Sequence, residues 1–186
     1  MRIIGGKFKG RRFEPPFANW PTRPTTDLAR EALFNILTHL IDFESVKMLD
    51  LFGGTGCHCY EFISRGCTDT TYVDKFPGCV RFVRQMALQL GIEPYLKIYQ
   101  MDVFRFILFT SDQYDYIFAG PPYNLPALET LPDKILKANI LKPGGILVLE
   151  HNPQRDFSYH PRLTDVRRYG QTYFSFFRGE QISSSF

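Results

Sequence analysis

The amino-acid sequence predicts an α/β fold, built on a mostly parallel seven-stranded sheet that ends in an antiparallel hairpin. From residue 46 onward, short apolar runs alternate with helix-like segments, an order typical of a parallel sheet covered by helices on both faces. A glycine cluster at residues 53–56 follows the first apolar run. In the last third of the chain, the short glycine-containing connection Gly170-Gln171 joins two strand-like segments, which predicts a hairpin.

The strands are placed by apolar runs that end at glycine, proline or acidic residues. We expect five of them at residues 46–52, 70–73, 96–99, 114–119 and 146–150, followed by hairpin strands at 163–169 and 172–178. A parallel sheet closed by such a hairpin is the strand order expected of class I methyltransferases, which have a Rossmann-like fold. Nicotinamide-dependent dehydrogenases are not expected to end this way.

Three helices are predicted from apolar periodicity and from residues that begin or end helices. Pro77 suits the first turn of one helix, which Gly91 ends. Another is expected over residues 131–141, where the Lys-Pro-Gly-Gly sequence at 142–145 stops it. Residues 28–41 predict an amphipathic helix ahead of the sheet. Its apolar face is formed by Ala29, Leu33, Ile36 and Leu40.

The length of 186 residues suits one domain with a hydrophobic core. We divide the chain into a basic N-terminal arm or β-hairpin (1–24), a main domain (25–181) and a frayed tail (182–186). No apolar run approaches the ~20 residues of a membrane helix, and no apolar segment follows the basic start as in a signal peptide. The four cysteines crowd the middle of the chain, which favours reduced thiols and a cytoplasmic protein. We expect a monomer.

The sequence Cys57-His58-Cys59 resembles a set of metal ligands, but we expect no metal there. Three successive residues on a helix point in different directions, and no second ligand pair appears elsewhere.

Acidic residues at the ends of three successive strands predict a site for a nucleotide-like ligand. Asp50 precedes the glycine cluster, Asp74 ends the second strand and Asp102 follows the third. Open α/β sheets bind ligands at the edge where these strand ends meet. Asp50 suits the ammonium of a methionine moiety, Asp74 suits ribose hydroxyls and Asp102 suits an adenine amino group. Together they favour S-adenosylmethionine.

The glycine cluster lets backbone amides approach such a ligand, because no Cβ blocks the way. A dinucleotide-binding G-x-G-x-x-G motif would need a third glycine where Cys59 stands. A nicotinamide oxidoreductase is therefore a poor interpretation.

A second motif follows the fourth strand and is expected at the same edge of the sheet. It reads Gly120-Pro121-Pro122-Tyr123. Proline nitrogens carry no hydrogen to donate, so this turn offers carbonyl acceptors on a rigid backbone. An aromatic ring beside them can stack on a planar base, which contributes ~1–3 kcal/mol. The motif predicts a site for a base with an exocyclic amine.

Three stretches of the chain resemble the small bacterial 16S rRNA guanine-N2 methyltransferases, a family often labelled N6-adenine methylases because of an Asp-Pro-Pro-Tyr motif. The first is the opening sequence MRIIGGKFKGR, the second is TRPTTD at 22–27 with REALFN at 30–35, and the third is DLFGGTG at 50–56 with SRG at 64–66. With Tyr169-Gly170 in the hairpin, the resemblance covers nearly the whole chain.

The resemblance implies methyl transfer from S-adenosylmethionine to the exocyclic N2 amine of a guanine. The substrate would be 16S rRNA or a small ribosomal subunit particle, with no metal and no membrane involved. Residues 120–123 would hold the target base. The cofactor contacts expected are Asp50, Phe52, Gly53, Gly54, Thr55, Gly56, Asp74, Lys75, Asp102 and Val103. The RNA contacts expected are Arg2, Lys7, Lys9, Arg11, Arg12 and Arg23, since the arm carries these cations in a nearly acid-free stretch.

Three residues depart from the family pattern, among them Leu28, which replaces a commonly basic residue. Gly120 replaces the aspartate of Asp-Pro-Pro-Tyr, and Gly53 stands where alanine is usual. An N6-adenine DNA methyltransferase would suit the Pro-Pro-Tyr motif equally well. An RNA-binding or assembly factor that keeps the cofactor pocket without turnover would suit Gly120.

Overall fold

The computed structural model describes residues 1–21 and 23–181. Its strands are β1 (Lys47–Leu51), β2 (Asp69–Asp74), β3 (Leu96–Gln100), β4 (Tyr114–Ala119), β5 (Leu141–His151), β6 (Leu163–Tyr169) and β7 (Thr172–Arg178). Its α-helices are α1 (Asp27–Leu40), α2 (Cys57–Ser64), α3 (Pro77–Leu90), α4 (Val103–Phe109) and α5 (Leu131–Lys137).

All seven strands form one sheet in the order β3-β2-β1-β4-β5-β7-β6. Strands β1 to β5 are parallel to one another, and β7 runs antiparallel to both β5 and β6. The predicted fold class is therefore confirmed, including the hairpin across Gly170-Gln171. The strand order reverses between β1 and β4, so a crevice opens at the carboxyl ends of these strands.

The two faces of the sheet carry separate apolar clusters because successive strand residues point to opposite sides. Met48 packs with residues of α1, α2 and α3 on one face. Its neighbour Leu49 packs with α4 and α5 on the other. In α1 the side chain of Thr26 accepts a hydrogen bond from the Ala29 amide, which begins the helix. The helices are thus held by the sheet that they cover.

Four expectations about the elements were wrong or incomplete. Helix α5 ends at Lys137 rather than 141, because Asn139 turns the chain with φ +57°. Strand β5 begins at Leu141, which pairs with Tyr114, and an irregularity in that pairing accommodates residues 142–145. Helix α4 was not expected at all. On α1, Leu40 is 44% exposed, and Phe34 and Leu37 take its place on the buried face.

The N-terminal segment lies against α2 and adds to the main core. Arg2 and Arg12 form an antiparallel bridge, while Ile3 and Phe13 are buried. The Lys7 amide donates to the Ser64 carbonyl at 2.7 Å, so the end of α2 holds the arm in place. Residues 182–186, expected to be a frayed tail, lie outside the described residues. Within 1–21 and 23–181, no helix combines the length and apolar character needed to cross a membrane.

Candidate active site

A cavity of about 730 Å³ lies at the carboxyl ends of the parallel strands. Residues that end or follow β1 to β5 line it, and the segment leading into α1 supplies another part of its wall. That segment contributes Pro21, Arg23, Pro24 and Thr25. The cavity therefore stands where a Rossmann-like sheet binds its ligand.

The glycine loop after β1 has an unusual backbone. Phe52 adopts φ +60° and Gly54 adopts φ +54°, a region that non-glycine residues seldom occupy and that is found repeatedly at functional sites. A Cβ on Gly53 would lie 2.4 Å from the ring of Tyr72, whose hydroxyl donates to the Gly54 carbonyl at 2.6 Å. The Tyr72 ring thus fills the space of a side chain at position 53. This explains why glycine stands there.

Asp74 is held by the backbone of this loop. Its Oδ2 accepts a hydrogen bond from the Gly54 amide and its Oδ1 accepts one from the Phe76 amide, both at 2.9 Å. Burial raises the pKa of this carboxyl, while the two amide bonds oppose the shift. Each carboxylate oxygen can accept a second hydrogen bond, so Asp74 retains capacity for ligand hydroxyls.

Asp50 is almost completely buried in the cavity wall. Burial raises the pKa of its carboxyl to about 8, and the negative charges of Asp74 and Glu150 add to the effect. The thiol of Cys59 donates to Asp50 Oδ2 at 3.5 Å and opposes the shift. A cation bound beside Asp50 would stabilise the ionised carboxylate.

Asp102 begins α4 as its N-cap residue. Its Oδ1 accepts hydrogen bonds from the amides of Phe104 and Arg105 at 3.0 and 3.2 Å. Because Oδ1 accepts both hydrogen bonds, Oδ2 of Asp102 can still accept a hydrogen bond from a ligand in the cavity that this residue lines.

The Pro-Pro-Tyr motif forms the wall beyond β4. The Gly120 amide donates to the Leu51 carbonyl at 3.2 Å, which ties the motif to the end of β1. Gly120 does not have a positive φ, and a Cβ there would lie 3.1 Å from Cε1 of Phe118. The Tyr123 hydroxyl donates to Glu150 Oε1 at 2.8 Å. The aromatic ring is thereby fixed against the end of β5.

The structure brings together all the residues expected at the cofactor and the target base except Gly56. Gly56 instead caps α2 with φ +79°, and a Cβ on it would lie 2.6 Å from the Tyr60 hydroxyl. Of the expected RNA contacts, Arg23 lines the cavity. The other five, Arg2, Lys7, Lys9, Arg11 and Arg12, have exposed side chains on the arm.

Sequence reasoning missed Glu150 and Arg30 in the cavity wall. Glu150 stands at the carboxyl end of a parallel strand, the same signal that revealed Asp50 and Asp74. Burial raises the pKa of its carboxyl, while hydrogen bonds from Thr25 and Tyr123 lower it. Arg30 donates to Asp27 Oδ1 at 2.9 Å and to the Arg2 carbonyl. Arg30 opens the REALFN stretch of the family resemblance, but sequence reasoning gave it no role in the cavity.

His58 of the Cys-His-Cys sequence is buried in the first turn of α2. Its Nε2 pairs with the Tyr116 hydroxyl at 2.9 Å, and its ring stacks on Phe118 with 3.9 Å between centroids. Burial lowers the pKa of the imidazole well below its usual value. Among residues 1–21 and 23–181, no group of three or more His, Cys, Asp or Glu is placed to hold a metal ion.

The sheet order, the terminal hairpin and the glycine loop at the crevice define the fold of the S-adenosylmethionine-dependent methyltransferases. A solved Escherichia coli structure titled "Putative methyltransferase yhhF" superposes with a TM-score of 0.83 over 98% of this chain and 99% of that one, at 22% identity. That likeness bears on the fold alone.

The chain belongs to the family described as "Conserved hypothetical protein 95", whose model matches residues 1–178. It is 31% identical over 155 residues to "Putative rRNA methyltransferase YlbH" of Bacillus subtilis, covering 82% of this chain and 83% of the relative. It is 28% identical over 154 residues to "Ribosomal RNA small subunit methyltransferase D" of Buchnera aphidicola, covering 81% and 75%. These matches confirm the family resemblance found in the motifs.

Proposed function

We propose that this protein transfers a methyl group from S-adenosylmethionine to the exocyclic N2 amine of a guanine in 16S rRNA. One observation carries the proposal: a single cavity is lined by the three strand-end acids, the glycine loop and the Pro-Pro-Tyr motif. The names of the two relatives support an rRNA substrate.

The residues of the cavity fit the chemical parts of S-adenosylmethionine. Buried Asp50 suits the ammonium, Asp74 suits the ribose hydroxyls and Asp102 with Val103 suits the adenine. The positive φ of Gly54 brings the loop backbone to the cavity without a Cβ in the way. When bound, the cofactor supplies an electrophilic methyl group on a positively charged sulfur.

The chain contributes mainly position to this reaction. Methyl transfer is an in-line displacement, for which correct placement of the reactants can supply up to ~7–11 kcal/mol. The ring of Tyr123, fixed by its bond to Glu150, offers a surface on which the target base stacks. The Pro121 carbonyl lies on a rigid turn and can accept a hydrogen bond from the amine. A base inside paired RNA would first be flipped into the cavity.

RNA affinity is assigned to the arm and to Arg23. The five exposed cations on the arm can contact phosphates, and Arg23 offers a further cation at the cavity itself. The arm is held to α2 by hydrogen bonds, so these charges are presented on an ordered scaffold.

The test is transfer of tritiated methyl from S-adenosylmethionine to small ribosomal subunit particles and to naked rRNA lacking the modification. We expect incorporation, with N2-methylguanosine as the modified nucleoside found by mass spectrometry. Recovery of N6-methyladenosine instead would contradict the guanine assignment.

A second candidate function is RNA binding without turnover, which the missing side chain at Gly120 favours. Cofactor binding without any methyl incorporation, in particles and in naked RNA, would establish this alternative.

A further inference from the structure

Glu150 is a buried carboxylate in the part of the cavity assigned to the target base. It lies near the end of β5, where Leu149 pairs with Ala119 of β4. The next residues along these two strands are Glu150 and Gly120. The pairing ends at Ala119 and Leu149, so Gly120 and Glu150 directly follow the last pair of two strands that lie about 4.8 Å apart. Alternation along the strands puts both positions on the same face. Glu150 is 5% exposed and lines the cavity beside Pro121 and Tyr123.

The contacts of Glu150 leave part of its hydrogen-bonding capacity unused. Its Oε1 accepts from the Tyr123 hydroxyl at 2.8 Å, and its Oε2 accepts from the Thr25 hydroxyl. A carboxylate offers about four acceptor positions, so about two remain. No lysine or arginine of the described chain forms an ion pair with it.

A buried carboxylate without an ion pair is costly to keep, since burial disfavours the charged form. The charge of Arg23 favours the ionised carboxylate, but burial outweighs it and raises the pKa of Glu150. If the only task were to hold Thr25 and Tyr123, a neutral glutamine would serve it. Its amide oxygen can accept from one hydroxyl, and its amide nitrogen can donate to the other. These two contacts alone therefore do not explain why position 150 carries a carboxylate and not a neutral amide.

We propose that Glu150 is a catalytic carboxylate, which accepts a hydrogen bond from the exocyclic amine of the target base where residue 120 has no side chain to do so. This inference rests on the proposed function and adds a residue to it. The hydrogen bond holds the amine with its nitrogen lone pair directed at the methyl group.

The reaction balances with Glu150 in this role. The amine nitrogen forms the new N–C bond with its lone pair, the C–S bond breaks and sulfur keeps that electron pair. The nitrogen becomes positively charged and loses one proton. Glu150 receives the proton through the existing hydrogen bond and passes it to solvent. No metal or redox partner is required.

The test uses three variants of the full chain: Glu150→Gln, Gly120→Asp with Glu150→Gln, and the control Glu31→Gln on the exposed face of α1. Glu150→Gln should lower kcat about a hundredfold to a thousandfold, the usual loss for one positioned group in an active site. Its Kd for S-adenosylmethionine and its thermal unfolding should stay close to those of the parent. The control should match the parent throughout.

The double variant separates a catalytic from a structural role. Gly120 has a backbone that aspartate tolerates, and the Phe118 ring needs to give only a few tenths of an ångström. An aspartate there supplies a new acceptor one strand away, so the double variant should regain at least tenfold in kcat. If Glu150 only holds Thr25 and Tyr123, this aspartate restores nothing.

Two results would overturn the inference while leaving the proposed function intact: full activity of Glu150→Gln, or a folded double variant no more active than Glu150→Gln. A parent protein that binds S-adenosylmethionine but methylates neither particles nor rRNA would remove the proposed function, and this role with it.

Discussion

Binding of S-adenosylmethionine should release a proton from Asp50. Burial raises the pKa of this carboxyl to about 8, so at pH 7 it is about nine-tenths protonated in the free protein. An ammonium placed against it requires the carboxylate. The ligand's own amine, with a pKa of about 7.7–8.0, takes up about 0.1 proton when held as ammonium. The net release at pH 7 is then about 0.8 proton per cofactor bound.

The affinity for S-adenosylmethionine depends on the same ionisation of Asp50. As pH falls from 7 to 6 the ionised fraction of Asp50 drops about tenfold, and the ligand amine gains slightly in charge. Binding should weaken about eightfold over this interval, whereas an Asp50 with an ordinary pKa near 3.9 would leave it almost unchanged. Above pH 8 the amine itself loses its proton, so affinity should stop rising.

Calorimetry at pH 7 in phosphate and in Tris measures the effect, because these buffers differ in their heat of protonation. The observed enthalpy should differ between them by the proton release multiplied by that difference. Asp50→Asn, which cannot ionise, provides the control and should show little buffer dependence. Equal enthalpies for the parent in the two buffers, or the same buffer dependence in Asp50→Asn, would refute the assignment of Asp50 to the ammonium.

Other substitutions test the remaining parts of the site. Asp74→Ala should weaken cofactor binding by ~2–3 kcal/mol, as expected for charge-assisted hydrogen bonds to ribose, and an unchanged Kd would exclude that role. Gly53→Ala places a methyl group 2.4 Å from the Tyr72 ring. It should cost about 1–3 kcal/mol of unfolding free energy through overpacking, so an unaltered denaturation midpoint would contradict the geometry. A further variant replaces four arm cations with alanine together: Lys7, Lys9, Arg11 and Arg12. The salt dependence of RNA binding should flatten by up to ~0.7 in slope per lost contact on single strands, with cofactor affinity unaffected. An identical slope would show that these cations do not touch RNA.

The cofactor side of the cavity was predictable because each acid follows a recognisable strand. Parallel strands end at one edge of a sheet, so Asp50 and Asp74 could be brought together from local patterns alone. The wall formed by residues 21 and 23–25 gave no such signal. Thr25 meets Glu150 across 125 residues of sequence, a contact that only the tertiary packing of α1 against the sheet creates.

The residue at which β5 begins could likewise not be predicted from the local sequence. Glycine and proline at 143–145 are typical of a helix end, and that local preference suggested a later start for the strand. Pairing of Leu141 with Tyr114 overrides the preference, because the neighbouring strand supplies the hydrogen bonds. Local patterns located the strands, while partners distant in sequence decided where this one begins.

The attachment of the arm to α2 restricts how the protein can be engineered. The carboxylate of Glu61 accepts hydrogen bonds from the Ile4 and Gly5 amides and faces buried Arg30, which also bonds the Arg2 carbonyl. Deleting the arm would strip this carboxylate of its amide donors and open the core at Ile3. A hydrogen bond to a charged group commonly contributes ~1.5–3 kcal/mol. The N-terminal segment is therefore a poor place for truncation or for domain transfer, and its surface charges are best altered by side-chain substitution.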